Sequence, residues 1–538
     1  MSSQVPAEQP LGLLRDIDPP LPSMDILSGY GAKILDPLQA VTLPGQAVRN
    51  TAYVADRLLI PASVPDATWG LLQRAAAEQG YRLELDEADA DRPLGVRRTR
   101  IVPAGDRPTV PPDAWTILQW ARSLAAPDEL TGVGLDHLLF ASVGVIGVPY
   151  HSSRQPQQAA ATPQPEAQPP AAPGDAASPP PAPAPTPPAR DDAAFASYVR
   201  QGSGGRQPVI WSGPAPHRRS DDSLPGRRPV VAILDNGCGR HPWLDYTVRA
   251  NLSLDGRPIG LTLAGFDPEI SGDLIGPLDD YSDAVAGHGT FMAGLVRIAC
   301  PDADILAIRV VNPDGVVVES DLIAALGDLA ELVRRNSEGE PGGRPIDVLV
   351  LSMGYYHETP DAAADPALAW VLDELGRLGV IVVAAAGNDA TTRPMYPAAF
   401  APWATGDRTA YPDRVPLVSV GALNPDATDA WFSNGGPWVS AWAAGASVVS
   451  TMPDTFHGGL TPVSTSDNFG RRRSTIDPDD YRCGFAVWSG TSFAAPTVAG
   501  RLADELLRGD DGGLQADDVP AAVERARRVL DQCLGLAG

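Results

Sequence analysis

The sequence is almost without lysine: Lys33 stands alone among 41 basic side chains, so chemistry that needs a lysine base or Schiff base in the second half is excluded. Positive charge is scarce as a whole, with 66 acidic residues and a net charge of -25. That balance argues against a nucleic-acid partner, which needs a basic stripe to displace counterions. Cysteine is also sparse. Cys238, Cys300, Cys483 and Cys533 lie far apart with no C-x-x-C pair, and no histidines cluster along the chain. No metal site is expected from such spacing, and buried free thiols are the simpler reading, a Cys238–Cys483 disulfide being the alternative. Long apolar runs are missing too: Leu138–Tyr150 is interrupted by glycine and falls short of the ~20 residues that span a bilayer. The opening residues carry no basic segment followed by an apolar core, so no export leader is read. A cytoplasmic location with no membrane partner is the expectation.

Proline and glycine, by contrast, are abundant, at 56 and 53 residues. Residues 156–190 alone hold 13 prolines and 11 alanines and no aromatic residue, a composition that cannot bury enough surface to fold. This spacer divides the chain into an N-terminal α+β domain (1–150), a Pro/Ala-rich disordered linker (151–200) and a larger domain (201–538). Before the spacer, strand and helix patterns alternate: 52–60 strand, 66–78 helix, 82–85 strand, 98–102 strand, 113–125 helix and 138–143 strand. The order β-α-β-β-α-β is that of a small ferredoxin-like domain. After it, VVAIL, DVLVLS and GVIVVAAA are continuous apolar runs separated by helical stretches at 288–299, 320–335 and 366–378. Strands of that kind are buried on both faces, which predicts an α/β, three-layer, doubly wound, mostly parallel sheet. Ligands of such sheets sit beyond the carboxyl ends of the strands.

The reactive residue types fall at those ends. Asp235 closes VVAILD ahead of a glycine-containing turn, and His288 opens a helix in GHGTFMAGL. Ser492 starts a small-residue helix in WSGTSFAAPTVAG, and Asn388 follows the buried strand in VVAAAGND. Each alone is ordinary: a turn acid, a helix cap, an N-cap serine, a turn asparagine. Together, in the chain order Asp, His, Ser, they form a nucleophile, base and orienting acid.

With DNG around Asp235, GHGT around His288, GTSFAAP around Ser492 and AAGN ending at Asn388, the sequence over roughly 228–508 resembles the subtilisin-like (subtilase) family. The resemblance implies a serine endopeptidase acting on polypeptide substrates. Asp235, His288 and Ser492 would be its triad and Asn388 an oxyanion donor. Ser352, Met353 and Gly354 would pair with an extended substrate, and Ala385, Ala386 and Gly387 would form one wall of the S1 pocket. Asn236 and Thr497 depart from residues usual in the family, and 461–481 reads as a surface insert that alters access or is clipped. Family members often bind calcium, yet no cofactor is assigned, because Asp279, Asp280 and Asp283 read as a solvated loop. The N-terminal domain is either an inhibitory pro-region or a recruitment domain tethered by the spacer. A catalytically inactive binding or scaffold protein on the same fold is the alternative to an enzyme. A serine esterase would need a G-x-S-x-G elbow, which is not seen around Ser492.

Overall fold

The computed structural model describes residues 15–61, 64–89, 96–105, 110–126, 128–141, 198, 205–359, 367–403, 413–459, 461–509, 514–515 and 518–534. The Pro/Ala-rich spacer, and the end of the strand expected at 138–143, lie outside the described residues.

The N-terminal part is built from β1 (Ala32–Ile34), β2 (Ala52–Pro61), α1 (Asp66–Glu78), β3 (Tyr81–Leu85), β4 (Val96–Pro103), α2 (Ala114–Leu124) and β5 (Gly134–Ala141). Every pairing is antiparallel and the order β5-β2-β4-β3 places the four long strands as the βαββαβ pattern requires. The helices bury one face each, through Leu71, Leu72, Ala75 and Ala76 on α1 and Trp115, Leu118 and Ala121 on α2. Strand β5 begins four residues earlier than its hydrophobic pattern predicts, because Asp136 and His137 interrupt that pattern. Both are nonetheless buried, each satisfied by partners from the larger domain.

The larger domain is organised on β6 (Val230–Asp235), β7 (Val248–Arg249), β8 (Asp304–Arg309), β10 (Val348–Leu351), β12 (Ile381–Ala385), β13 (Val418–Leu423) and β14 (Ala441–Ala444). They form one parallel sheet in the order β14-β13-β12-β10-β6-β8-β7. Helices α3 (His288–Ala299) and α6 (Thr491–Arg508) pack on each other and on the sheet. Helices α4 (Glu319–Ser337) and α5 (Ala367–Arg377) pair likewise, completing a three-layer α/β architecture. All side chains of β6, β10 and β12 are buried, as their unbroken apolar runs require. The order reverses at β6 and β10, the innermost strands, so the chemistry-bearing loops gather over their carboxyl ends.

Two short strands of the larger domain, β9 (Val316–Val318) and β11 (Met353–Gly354), join the N-terminal sheet instead. β9 pairs antiparallel with β5 (Val316 opposite Phe140, Val318 opposite Leu138), and β11 pairs antiparallel with its end (Met353 opposite Ala141, Gly354 opposite Phe140). A shared apolar cluster of Leu27, Ala52, Val54, Leu138, Val316 and Val318 seals the junction. The insert at 461–481 contains an exposed hairpin, Thr465–Asn468 with Arg471–Ser474. All four cysteines are free thiols, and two of them, Cys483 and Cys533, are exposed rather than buried. Among the described residues, no helix is long and apolar enough to cross a membrane.

Candidate active site

Asp235 is the last residue of β6, and His288 the first of α3. The imidazole Nδ1 lies 2.8 Å from Asp235 Oδ1, which also accepts the Asn236 N–H at 2.9 Å. His288 Nε2 and Asp235 Oδ2 are buried without a hydrogen-bond partner among the described residues. An imidazole whose Nδ1–H is held by a carboxylate presents its Nε2 lone pair outward, the tautomer a general base requires. The ring is packed by Trp488, edge-on at 5.6 Å, and by Phe493 at 5.4 Å. Phe493 follows Ser492, so the start of α6 is brought up against the histidine.

Ser492 is the second residue of α6, whose cap is Gly490. It is therefore not itself the N-cap, and its hydroxyl sits in the first turn, where unpaired N–H groups favour negative charge. Pro496, four residues on, has no N–H for the Ser492 carbonyl, which accepts a long 3.5 Å contact from Ser352 Oγ. Asn388 Oδ1 accepts both Thr491 N–H and Thr491 Oγ1, each at 2.9 Å. With its oxygen pinned twice, the amide nitrogen is the end that can donate to a carbonyl oxygen. Aspartate, histidine and serine are all about 1% exposed or less, so the site is closed to solvent.

Ser352 follows β10, and Met353 and Gly354 form β11, paired with β5 of the N-terminal part. Ala385 ends β12, while Ala386 and Gly387 carry the chain to Asn388. Their backbone groups are fully engaged: Ala386 N–H donates to Val420, its carbonyl accepts from Asn434 Nδ2, and Gly387 N–H donates to Thr491 Oγ1.

Several residues that hold this geometry have no sequence signal of their own. Asn236, a departure from the family pattern, accepts the Gly289 N–H at 2.7 Å and donates to the Val285 carbonyl, tying the aspartate strand to the histidine helix. Thr497 donates to the Phe493 carbonyl within its own helix at 2.8 Å. Glu269, from a loop that reads as an ordinary turn, lies buried under the start of α3. Its Oε1 accepts Gly289 N–H at 2.9 Å and its Oε2 bonds Thr290 Oγ1. Burial, and to a lesser degree the nearby Asp267 and Asp235, pushes its carboxyl up to about 8. Asn434, in a segment that reads as a turn, accepts from Asp389 and Thr391 N–H and so shapes the loop carrying Asn388. The glycines flanking His288 serve the packing of the helix start. Gly287 has φ +79°, and a Cβ on Gly289 would meet the Gly237 carbonyl at 2.1 Å, so these positions let the helix start abut the aspartate loop. Asp283, read as solvated, is partly buried, accepts Leu274 N–H at 2.7 Å, and is pushed up to about 6 by burial.

The chain is similar to several curated proteins. The chain is 28% identical over 317 residues to "Mycosin-4" of Mycobacterium tuberculosis (55% of this chain, 58% of that protein). It is 27% identical over 295 residues to "Intracellular serine protease" of Paenibacillus polymyxa (52% and 66%). To "Serine protease AprX" of Bacillus subtilis it is 26% identical over 326 residues (56% and 61%). The chain thus spans less than two thirds of the length of each. The model of the Subtilase family matches residues 226–527, which takes in β6, α3, β12 and α6 with every residue described above around Asp235, His288, Asn388 and Ser492. The chain belongs to the subtilase family.

Proposed function

We propose that the chain is a serine endopeptidase in which Ser492 attacks a peptide carbonyl, His288 Nε2 takes its proton, and Asp235 holds the imidazole and stabilises its cation. The 2.8 Å bond from His288 Nδ1 to Asp235 Oδ1, with Nε2 left to accept, is the observation that carries this reading. As the carbonyl becomes tetrahedral, the negative oxygen is met by the Asn388 amide and the Ser492 N–H at the start of α6. Collapse expels the amine, which takes the proton back from His288, and water repeats the sequence on the acyl-enzyme. An extended substrate backbone pairs with Met353–Gly354, with Ala385–Gly387 beside the P1 side chain. No metal takes part in these steps. An intracellular site of action belongs to the same proposal, in keeping with the name of one relative.

A second reading concerns the N-terminal domain. Strand β5 lies between β9 and β11, on the edge assigned to substrate, and the triad beneath is closed to solvent. The N-terminal domain therefore acts as an intramolecular inhibitor that must leave or shift before substrate enters. Two measurements test these readings. Hydrolysis of an unfolded protein by the chain, lost in Ser492→Ala, supports the peptidase; equal residual hydrolysis in both supports an inactive scaffold. Intact-mass spectrometry alongside the activity time course supports inhibition if activity rises as the chain is cut, and refutes it if the uncut chain is fully active.

A further inference from the structure

At the junction of the two domains lies a buried cluster that the peptidase chemistry does not use. His137 comes from β5, and His357 and Glu358 from the segment after β11, separated by more than 200 residues of sequence. All three are buried, and one ligand atom of each lies within 4.8 Å of the others. His137 Nε2 is 3.0 Å from Glu358 Oε2, and His357 Nδ1, which accepts the Thr359 N–H at 3.1 Å and would exchange that bond for the ion, is 3.7 Å from the same oxygen. A zinc ion held at about 2.0–2.1 Å in tetrahedral geometry needs its ligand atoms roughly 3.3–3.4 Å apart, so these separations bracket the requirement.

The carboxylate behind His137 points the same way. His137 Nδ1 lies 2.6 Å from Glu319 Oε2, an oxygen that also accepts the His137 N–H at 3.2 Å. His137 Nε2 faces Glu358 Oε2 at 3.0 Å, so the ring lies between two carboxylates, and a cation at the ligand atoms would take the place of the proton on the Nε2–Oε2 line. A carboxylate behind the far nitrogen of a histidine is the arrangement that orients metal-binding imidazoles. Glu358 Oε1 is buried with no hydrogen-bond partner. Two buried carboxylates, Glu319 and Glu358, face the imidazoles, and a divalent ion would balance their charge in place of protons on the rings. Two imidazoles and a carboxylate suit a borderline-soft ion.

We propose that His137, His357 and Glu358 bind a zinc-class divalent cation, with Glu319 orienting His137, and that the ion fastens the N-terminal domain to the larger one. Because β5 also pairs with β11, the ion holds the strand on the substrate edge; that consequence rests on the inhibitor reading, whereas binding itself does not.

The test uses the full chain in the Ser492→Ala form, stripped with chelator and titrated with zinc chloride by calorimetry, and with cobalt(II) by visible absorption. One equivalent bound, with the intense cobalt spectrum of a four-coordinate nitrogen and oxygen site, is expected. Glu319→Gln should weaken zinc about 10- to 100-fold, as loss of an orienting partner does. His357→Gln should abolish the cobalt signal. A Ser492→Ala chain with the cluster intact that binds no zinc overturns the proposal, and so does an octahedral cobalt spectrum, which needs no further variant to fold. Zinc uptake unaffected by His357→Gln assigns the ion to surface histidines and overturns it as well. Hydrolysis by the Ser492 form is measured separately, so failure here leaves the peptidase reading intact.

Discussion

Glu269→Gln is the perturbation that most directly probes the support beneath the catalytic helix. In the folded chain the Glu269 carboxyl is pushed up to about 8 from its ordinary 4.5, chiefly by burial. Between those values the folded chain holds a proton that the unfolded chain has released, so stability falls as pH rises through that window. Each pH unit is worth at most about 1.4 kcal/mol, which sets a ceiling on the order of 5 kcal/mol for the whole interval. Glutamine is isosteric with the neutral acid. Its oxygen can accept the Gly289 N–H, and its amide can donate to Thr290 Oγ1, which already accepts the Gly239 N–H at 2.7 Å and has a second lone pair. The variant should therefore lose the decline without losing the contacts. The assay is the urea midpoint at pH 5, 6.5 and 8, in a Ser492→Ala background that prevents self-digestion. The wild-type midpoint should fall more steeply from pH 5 to 8 than that of the variant. Parallel declines in the two chains would refute the reasoning.

Other perturbations separate the roles assigned to the site. Asp235→Asn keeps the shape but favours the wrong imidazole tautomer, and should lower kcat by about 10⁴-fold with native circular dichroism retained. Asn388→Ala removes one oxyanion donor and should lower kcat roughly 10²- to 10³-fold with KM little changed, read from steady-state peptide hydrolysis. Gly289→Ala places a methyl 2.1 Å from the Gly237 carbonyl and 2.8 Å from Asn236 Oδ1. It should push α3 off the aspartate loop, lowering stability by about 1–3 kcal/mol, and the thermal midpoint with it, and reducing kcat, measured by calorimetry and hydrolysis.

How much of this was legible in the sequence varied with the physical signal. Continuous apolar runs identified β6, β10 and β12, and α1 and α3 were located to the residue, because burial on one face or on both leaves a periodic trace. The short edge strands did not announce themselves. β7, β9 and β14 are two to four residues long, and their pairing depends on distant partners. Asp136 and His137 broke the strand pattern of β5 although both are buried, since their counter-groups come from Ser320 and Glu319, about 180 residues away. The reactive types Asp235, His288, Asn388 and Ser492 stood out by their positions at element ends. Glu269, Asn236 and Asn434 did not, because a buried polar residue that serves a neighbour's backbone looks like any turn residue until the neighbour is known. The His137, His357 and Glu358 cluster was invisible for the same reason: its spacing follows no metal-binding pattern along the chain.

The most direct test of the central claim is the site of phosphonylation after treating the wild-type chain with excess fluorophosphonate, mapped by peptide mass spectrometry. The account predicts a single adduct on Ser492, absent from His288→Ala at matched reagent and time. Ser492 unmodified after prolonged incubation even in a folded chain cut free of residues 1–190, or modified equally well without the histidine, would contradict it.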